Sequence, residues 1–140
     1  MPRFEVDKEI EGSIDQAWSL LADFGGTAWI PGIESCEVEG ADGIGQIRKL
    51  KMGPMAIHER LEAFDPEART LSYSIVEGPL PTENYLASVA LSDAGDGKVR
   101  VQWGASFDLP GMDDDAASGI ASGIEGSYSG MVDALGKAIA

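Results

Sequence analysis

Six consecutive segments of this chain alternate apolar with polar residues, and the links between them are too short for anything but hairpins. The segments cover about residues 33–40, 44–52, 55–64, 69–77, 83–92 and 98–107, and the links read "ADG", "GP", "DPEA", "GPLPT" and "DAGDG". Period-two alternation predicts half-buried strands, and Gly, Pro and Asp in the links supply turn chemistry. A parallel pair would need a crossover of about a dozen residues or more. No link is that long, so the predicted sheet is antiparallel.

The flanks complete the pattern. Residues 3–10, "RFEVDKEI", set Phe4, Val6, Lys8 and Ile10 against charged neighbours, which adds a seventh strand. In "GSIDQAWSLLADF", Ser13 and Gln16 have capping-box spacing, and Ile14, Ala17, Trp18, Leu21 and Phe24 recur at helical intervals until Gly25-Gly26. "TAWIPG" reads as a short turn or a second short helix, broken by Pro31. Residues 113–139 predict a long helix. Asp113 to Asp115 place negative charge at its positive end, and Ile120, Ile124, Tyr128, Met131, Leu135 and Ile139 form one stripe. That helix also carries Gly119, Gly123, Gly126, Gly130 and Gly136, each costing roughly 1 kcal/mol against alanine. Either the small residues let helix and sheet pack closely, or they keep the helix thin over a space beneath it.

A seven-stranded antiparallel sheet must bury one face, and the long C-terminal helix is the available cover. The expectation is an α+β helix-grip architecture, with a curved seven-stranded antiparallel sheet wrapped around that helix. At 140 residues the chain has the size of one domain, spanning 1–140. A curved sheet around one helix seldom closes completely, so a cavity between them is expected.

Alternation names the residues that face it. They are Gln46, Arg48, Leu50 and Met52; Ile57, Glu59 and Leu61; Leu71, Tyr73 and Ile75; Tyr85, Ala87, Val89 and Leu91; and Val99, Val101, Trp103, Ala105 and Phe107. Ile120, Ile124 and Tyr128 form the opposite wall, and Trp29 with Pro31 lies where a mouth could open. Most of these are apolar, with a few convergent polar groups, as in small-molecule pockets. The candidate ligand-binding residues are Trp29, Arg48, Leu50, Glu59, Leu61, Tyr73, Tyr85, Trp103, Phe107, Ile120, Ile124 and Tyr128.

Two of them are charged. Folding "RKLKMGPMAIHERL" at Gly53-Pro54 sets Met52 against Met55, Leu50 against Ile57 and Arg48 against Glu59. A buried charge is costly unless paired, so the pair either fixes strand register or anchors one end of an apolar tunnel. In the second role Arg48 would bind a carboxylate or enolate oxygen and Glu59 would act as a general base. His58, the one histidine, falls on the outer face with Arg60, away from any catalytic arrangement.

Other function classes are disfavoured. The net charge is −14, from 24 acidic and 10 basic residues. Such a surface repels phosphate backbones and anionic headgroups, so neither nucleic acid nor stable membrane insertion is expected. One Cys and one His give no zinc-site spacing, and "DDD" at 113–115 reads as a helix start, so no metal or cofactor is expected. No apolar leader precedes the first strand, which predicts a cytoplasmic protein. Exposed edge strands leave monomer and homodimer both open.

The words "AWSLLADFGGTAWIPGIESCEVEG", "GQIRKL", "HERLEAFDPEARTLSYSIVEG", "LPTENYLASVAL" and "VQWGASF" resemble the polyketide cyclase/dehydrase-like group of the START-like, pollen-allergen-like helix-grip superfamily (SRPBCC). The resemblance covers nearly the whole chain. It implies an elongated apolar pocket between sheet and C-terminal helix. It places Trp29, Arg48, Glu59, Tyr73, Asn84, Tyr85, Trp103 and Tyr128 at positions typical of the group, and it supplies no catalytic signature. Two functions follow. One is a carrier or sensor that binds a small hydrophobic or aromatic, lipid- or polyketide-like molecule. The other is a cyclase or dehydratase using Arg48 and Glu59 in the same cavity.

Overall fold

A computed structural model describes residues 3–140. Strand β1 (Arg3–Glu11) and helix α1 (Ile14–Ala22) are followed by six strands: β2 (Ser35–Glu39), β3 (Ile47–Met52), β4 (Met55–Asp65), β5 (Thr70–Glu77), β6 (Glu83–Gly95) and β7 (Lys98–Asp108). Helix α2 (Asp114–Ile139) ends the chain's regular structure. The strands form one sheet in the order β1-β7-β6-β5-β4-β3-β2, antiparallel throughout. This is the helix-grip architecture that the strand pattern predicts.

The hairpin register follows the alternation. Arg48 pairs with Glu59, Leu50 with Ile57 and Met52 with Met55. Gly53 at φ +61 has the sign that a two-residue II′ turn needs at its first central position, and proline supplies the fixed φ of the second. In β4 a register shift between Leu61 and Ala63 bends the strand and brings Phe64, not Ala63, toward the core.

Helix starts follow their caps. The Ser13 hydroxyl accepts from the Gln16 amide at 3.3 Å, and the Asp113 carboxylate accepts from the Ala116 amide at 2.8 Å. The stretch 27–32 forms turns and no second helix. The Ile30 amide closes a turn onto the Thr27 carbonyl at 2.9 Å. Pro31 then removes a donor, and Gly32 sits at φ +84.

Helix α2 lies across the concave face unevenly. Its C-terminal half is packed tightly, with Val132 and Leu135 fully buried. A Cβ on Gly136 would lie 3.1 Å from Ile10 of β1. Lys8, on the inward parity of β1, reaches the helix edge and bonds Asp133 at 2.6 Å and the Ser129 hydroxyl at 3.0 Å. Further toward its N-terminus the helix stands off the sheet, and Ile120, Ile124 and Met131 are only half-buried. The core proper lies under α1 and the C-terminal part of α2, and the space remains under the middle of α2.

Candidate functional site

That space is a cavity of about 580 Å³, within the usual range for small-molecule pockets. Strands β3, β4 and β5 supply Arg48, Leu50, Met52, Met55, Ile57, Glu59, Tyr73 and Ile75 to its wall. Tyr85 of β6 and Leu80 of the preceding loop continue it, and the turn after α1 adds Ile30, Pro31 and Ile33. Helix α2 closes the roof with Ile120, Gly123, Ile124, Ser127, Tyr128, Gly130 and Met131. Nothing lies within 4 Å of where a Cβ on Gly123 or Gly130 would stand. The two readings of the helix glycines therefore divide by position: Gly136 serves close packing, while Gly123 and Gly130 keep the roof thin.

Eight of the predicted residues meet at this cavity: Arg48, Leu50, Glu59, Tyr73, Tyr85, Ile120, Ile124 and Tyr128. Four do not. Trp29 and Trp103 lie behind a partition formed by Arg48 and Tyr73, which border both spaces, with the two indole rings 6.4 Å apart. Leu61 faces a separate groove between the end of α1 and β2, beside Phe24, Gln46 and Phe64. Phe107 is sealed against the rings of Tyr85 and Phe4. Alternation assigns Leu61, Trp103 and Phe107 to the concave face, but residues 22–30 cover Leu61 and Trp103, and Phe4 with Tyr85 covers Phe107. Met52, Ile57 and Ile75 carry the same parity signal as the predicted residues. Gly123, Ser127 and Gly130 share the helical face of Ile120 and Ile124, but their small size hides them from any apolar pattern. His58 is on the outer face, 3.1 Å from Glu77.

The polar groups form two clusters. In the first, Arg48 Nε and Nη2 both lie 2.7 Å from Glu59 Oε1, and Arg48 Nη1 donates to the Phe24 carbonyl at 3.0 Å. The guanidinium carbon is 4.1 Å from the centre of the Phe24 ring and 5.0 Å from that of Tyr73, so cation–π attraction adds to the ion pair. All three nitrogens of Arg48 are thus engaged. Its charge is thereby paired with Glu59, and the residue still borders the cavity. Among the described residues Glu59 Oε2 accepts no hydrogen bond. Among those residues, too, no buried side-chain polar atom lacks a partner, so Oε2 keeps surface open on the cavity side.

The second cluster contains all three tyrosines of the chain. Trp103 Nε1 donates to the Tyr73 hydroxyl at 3.2 Å, Tyr73 donates to Tyr128 at 3.1 Å, and the hydroxyls of Tyr128 and Tyr85 are 2.5 Å apart. Burial pushes all three phenols well above their ordinary pKa, and the charge of Glu59 pushes the same way. They are donors that stay protonated.

A curved antiparallel sheet that grips one long helix over an apolar cavity defines the helix-grip class of proteins, the SRPBCC superfamily. Within it, the chain belongs to the polyketide cyclase / dehydrase and lipid transport family, whose model matches residues 1–140. It is 29% identical to the abscisic acid receptor PYL6 of Arabidopsis thaliana, over 78% of this chain and 56% of that protein. The chain thus spans little more than half the length of that relative. The structure of the Bacillus cereus protein XoxI superimposes with a TM-score of 0.86 at 28% identity, covering 99% of this chain and 96% of the other. ZhuI aromatase/cyclase from a Streptomyces species shares the fold, with a TM-score of 0.82 at 18% identity over 99% and 93% of the two chains. Among the described residues no helix is long and apolar enough to cross a membrane.

Proposed function

We propose that this protein binds a small hydrophobic or aromatic molecule in the cavity between β3–β6 and α2, as a carrier or sensor. One observation carries the reading: a cavity of about 580 Å³ walled mostly by Leu, Ile, Met and Tyr side chains. An unfilled apolar space of this size forfeits packing that a folded domain otherwise gains, and an apolar guest recovers it. The family description names lipid transport, and a relative is a receptor for a small molecule. Both agree with this role.

Titration with N-phenyl-1-naphthylamine, a neutral apolar fluorophore, tests it. Saturable one-to-one binding is expected. It should be lost in Gly123→Leu, which fills the roof, with the circular dichroism spectrum unchanged. Binding that does not saturate, or that survives the filled roof, would overturn the reading.

A second reading rests on Glu59 Oε2. An unengaged carboxylate oxygen beside protonated phenols has the makings of a general base with an oxyanion donor. The protein would then be a cyclase or dehydratase in which Glu59 moves the proton and Arg48 positions it. Turnover of a linear poly-β-ketone that is lost in Glu59→Gln, with binding kept, is the expected signature. Binding without turnover leaves the carrier role alone.

A further inference from the structure

The hydrogen-bonding groups of the cavity restrict what chemistry its guest carries. In the tyrosine cluster, four donor protons (the Trp103 N–H and three phenol O–H groups) serve three links. One phenol proton is therefore left over. Trp103 and Tyr73 each donate onward, so the spare proton belongs to Tyr85 or Tyr128, according to which donates to the other. Both line the cavity. The ion pair leaves the opposite remainder. Arg48 engages Glu59 through Oε1 alone, so Oε2 faces the cavity as an acceptor with negative charge. The apolar wall thus presents one neutral donor and one anionic acceptor, close enough that the Glu59 charge is felt at all three phenols. Among the described residues no further charged side chain lines the cavity.

We infer that the site selects an uncharged apolar molecule bearing an O–H or N–H donor for Glu59 Oε2 and an oxygen acceptor for the Tyr85–Tyr128 pair, and that it rejects carboxylates. A guest without the donor leaves Oε2 dehydrated and unpaired, which is the costly case for a buried charge. A guest carboxylate meets Oε2 as a like charge in a medium of low dielectric, where repulsion is strong. Arg48, its charge already paired with Glu59, offsets little of that repulsion.

The inference rests on the binding role proposed above, and one ligand series separates the two. Naphthalene, 2-naphthol, 2-methoxynaphthalene and 2-naphthoate share a skeleton and differ in donor and charge. Displacement of N-phenyl-1-naphthylamine at pH 7 should show 2-naphthol binding about tenfold or more tighter than its methyl ether, with 2-naphthoate weakest. In Glu59→Gln the ratio of naphthol to naphthoate affinity should collapse. If loss of one partner of the pair prevents folding, Arg48→Met/Glu59→Gln removes both charges and should collapse the same ratio. Equal binding of all four compounds, or preference for 2-naphthoate, would overturn this inference while the cavity reading stands. Failure of every compound, naphthalene included, would overturn both.

Discussion

Arg48 holds Glu59 across the β3–β4 hairpin through a single carboxylate oxygen, with Nε and Nη2 each 2.7 Å from Oε1. Both side chains are about nine-tenths buried. The pair staples the register of the hairpin, and it also stands in the wall of the cavity.

Breaking such a pair from one side strands the other charge. Arg48→Met alone, or Glu59→Gln alone, should lower the unfolding free energy by about 3–5 kcal/mol. Arg48→Met/Glu59→Gln should lose clearly less than the sum of the two. Urea unfolding of the four proteins forms the double-mutant cycle that measures the coupling. Additive losses would mean that the charges do not act as a unit.

The tyrosines make stability fall in alkali. A phenol whose folded pKa is raised keeps its proton where the unfolded chain has lost its own. The stabilisation is complete below the unfolded value of about 10 and is lost as pH rises above it. Each of Tyr73, Tyr85 and Tyr128 adds up to about 1.4 kcal/mol per pH unit to that slope. Tyrosinate absorbance should therefore appear together with loss of the circular dichroism signal, in one transition. Ionisation near pH 10 in an intact fold would contradict the buried network.

The glycines of α2 should respond by location. Gly119 and Gly126 are exposed, with open space where an alanine methyl group would stand, so Gly119→Ala and Gly126→Ala should each stabilise the protein by about 1 kcal/mol. Gly136→Ala meets Ile10 at 3.1 Å, and the crowding should cancel that gain or reverse it. Thermal unfolding of the three variants distinguishes the two classes.

Gly104 of β7 marks a close approach of two strands. A Cβ there would collide with the Phe4 carbonyl oxygen and stand 3.2 Å from the Glu5 Cα of β1. Gly104→Ala should cost about 1–3 kcal/mol. It should also raise amide exchange along β1 before it does so in β4 or β5. Uniform loss of protection across the sheet would show that β1 is not the element displaced.

Much of the architecture is legible without coordinates. The pairing of Arg48 with Glu59 and of Leu50 with Ile57 follows from alternation and a two-residue turn, because both rules act over a few residues. The extent of the site is not legible in this way. Leu61, Trp103 and Phe107 satisfy the alternation rule for the cavity face, and Trp29 sits where a mouth is expected, yet all four lie outside it. Residues 22–30 lie over Leu61 and Trp103, and Phe4 of β1 lies against Phe107; that placement depends on packing between distant segments.

By itself, the amino-acid order determines the antiparallel sheet, its seven strands, the buried parity of the strands outside the β4 bulge and the hairpin that makes Arg48 and Glu59 partners. These depend on backbone geometry of period two and on turn chemistry, which are properties of neighbouring residues. Only the tertiary structure decides where the space ends, which oxygen of Glu59 stays open, and that Tyr73, Tyr85, Tyr128 and Trp103 share one chain of hydrogen bonds. Those groups come from β5, β6, α2 and β7. Their meeting depends on how far α2 stands off the sheet, a distance set by long-range packing around Val132, Leu135 and Gly136, which no stretch of local sequence encodes.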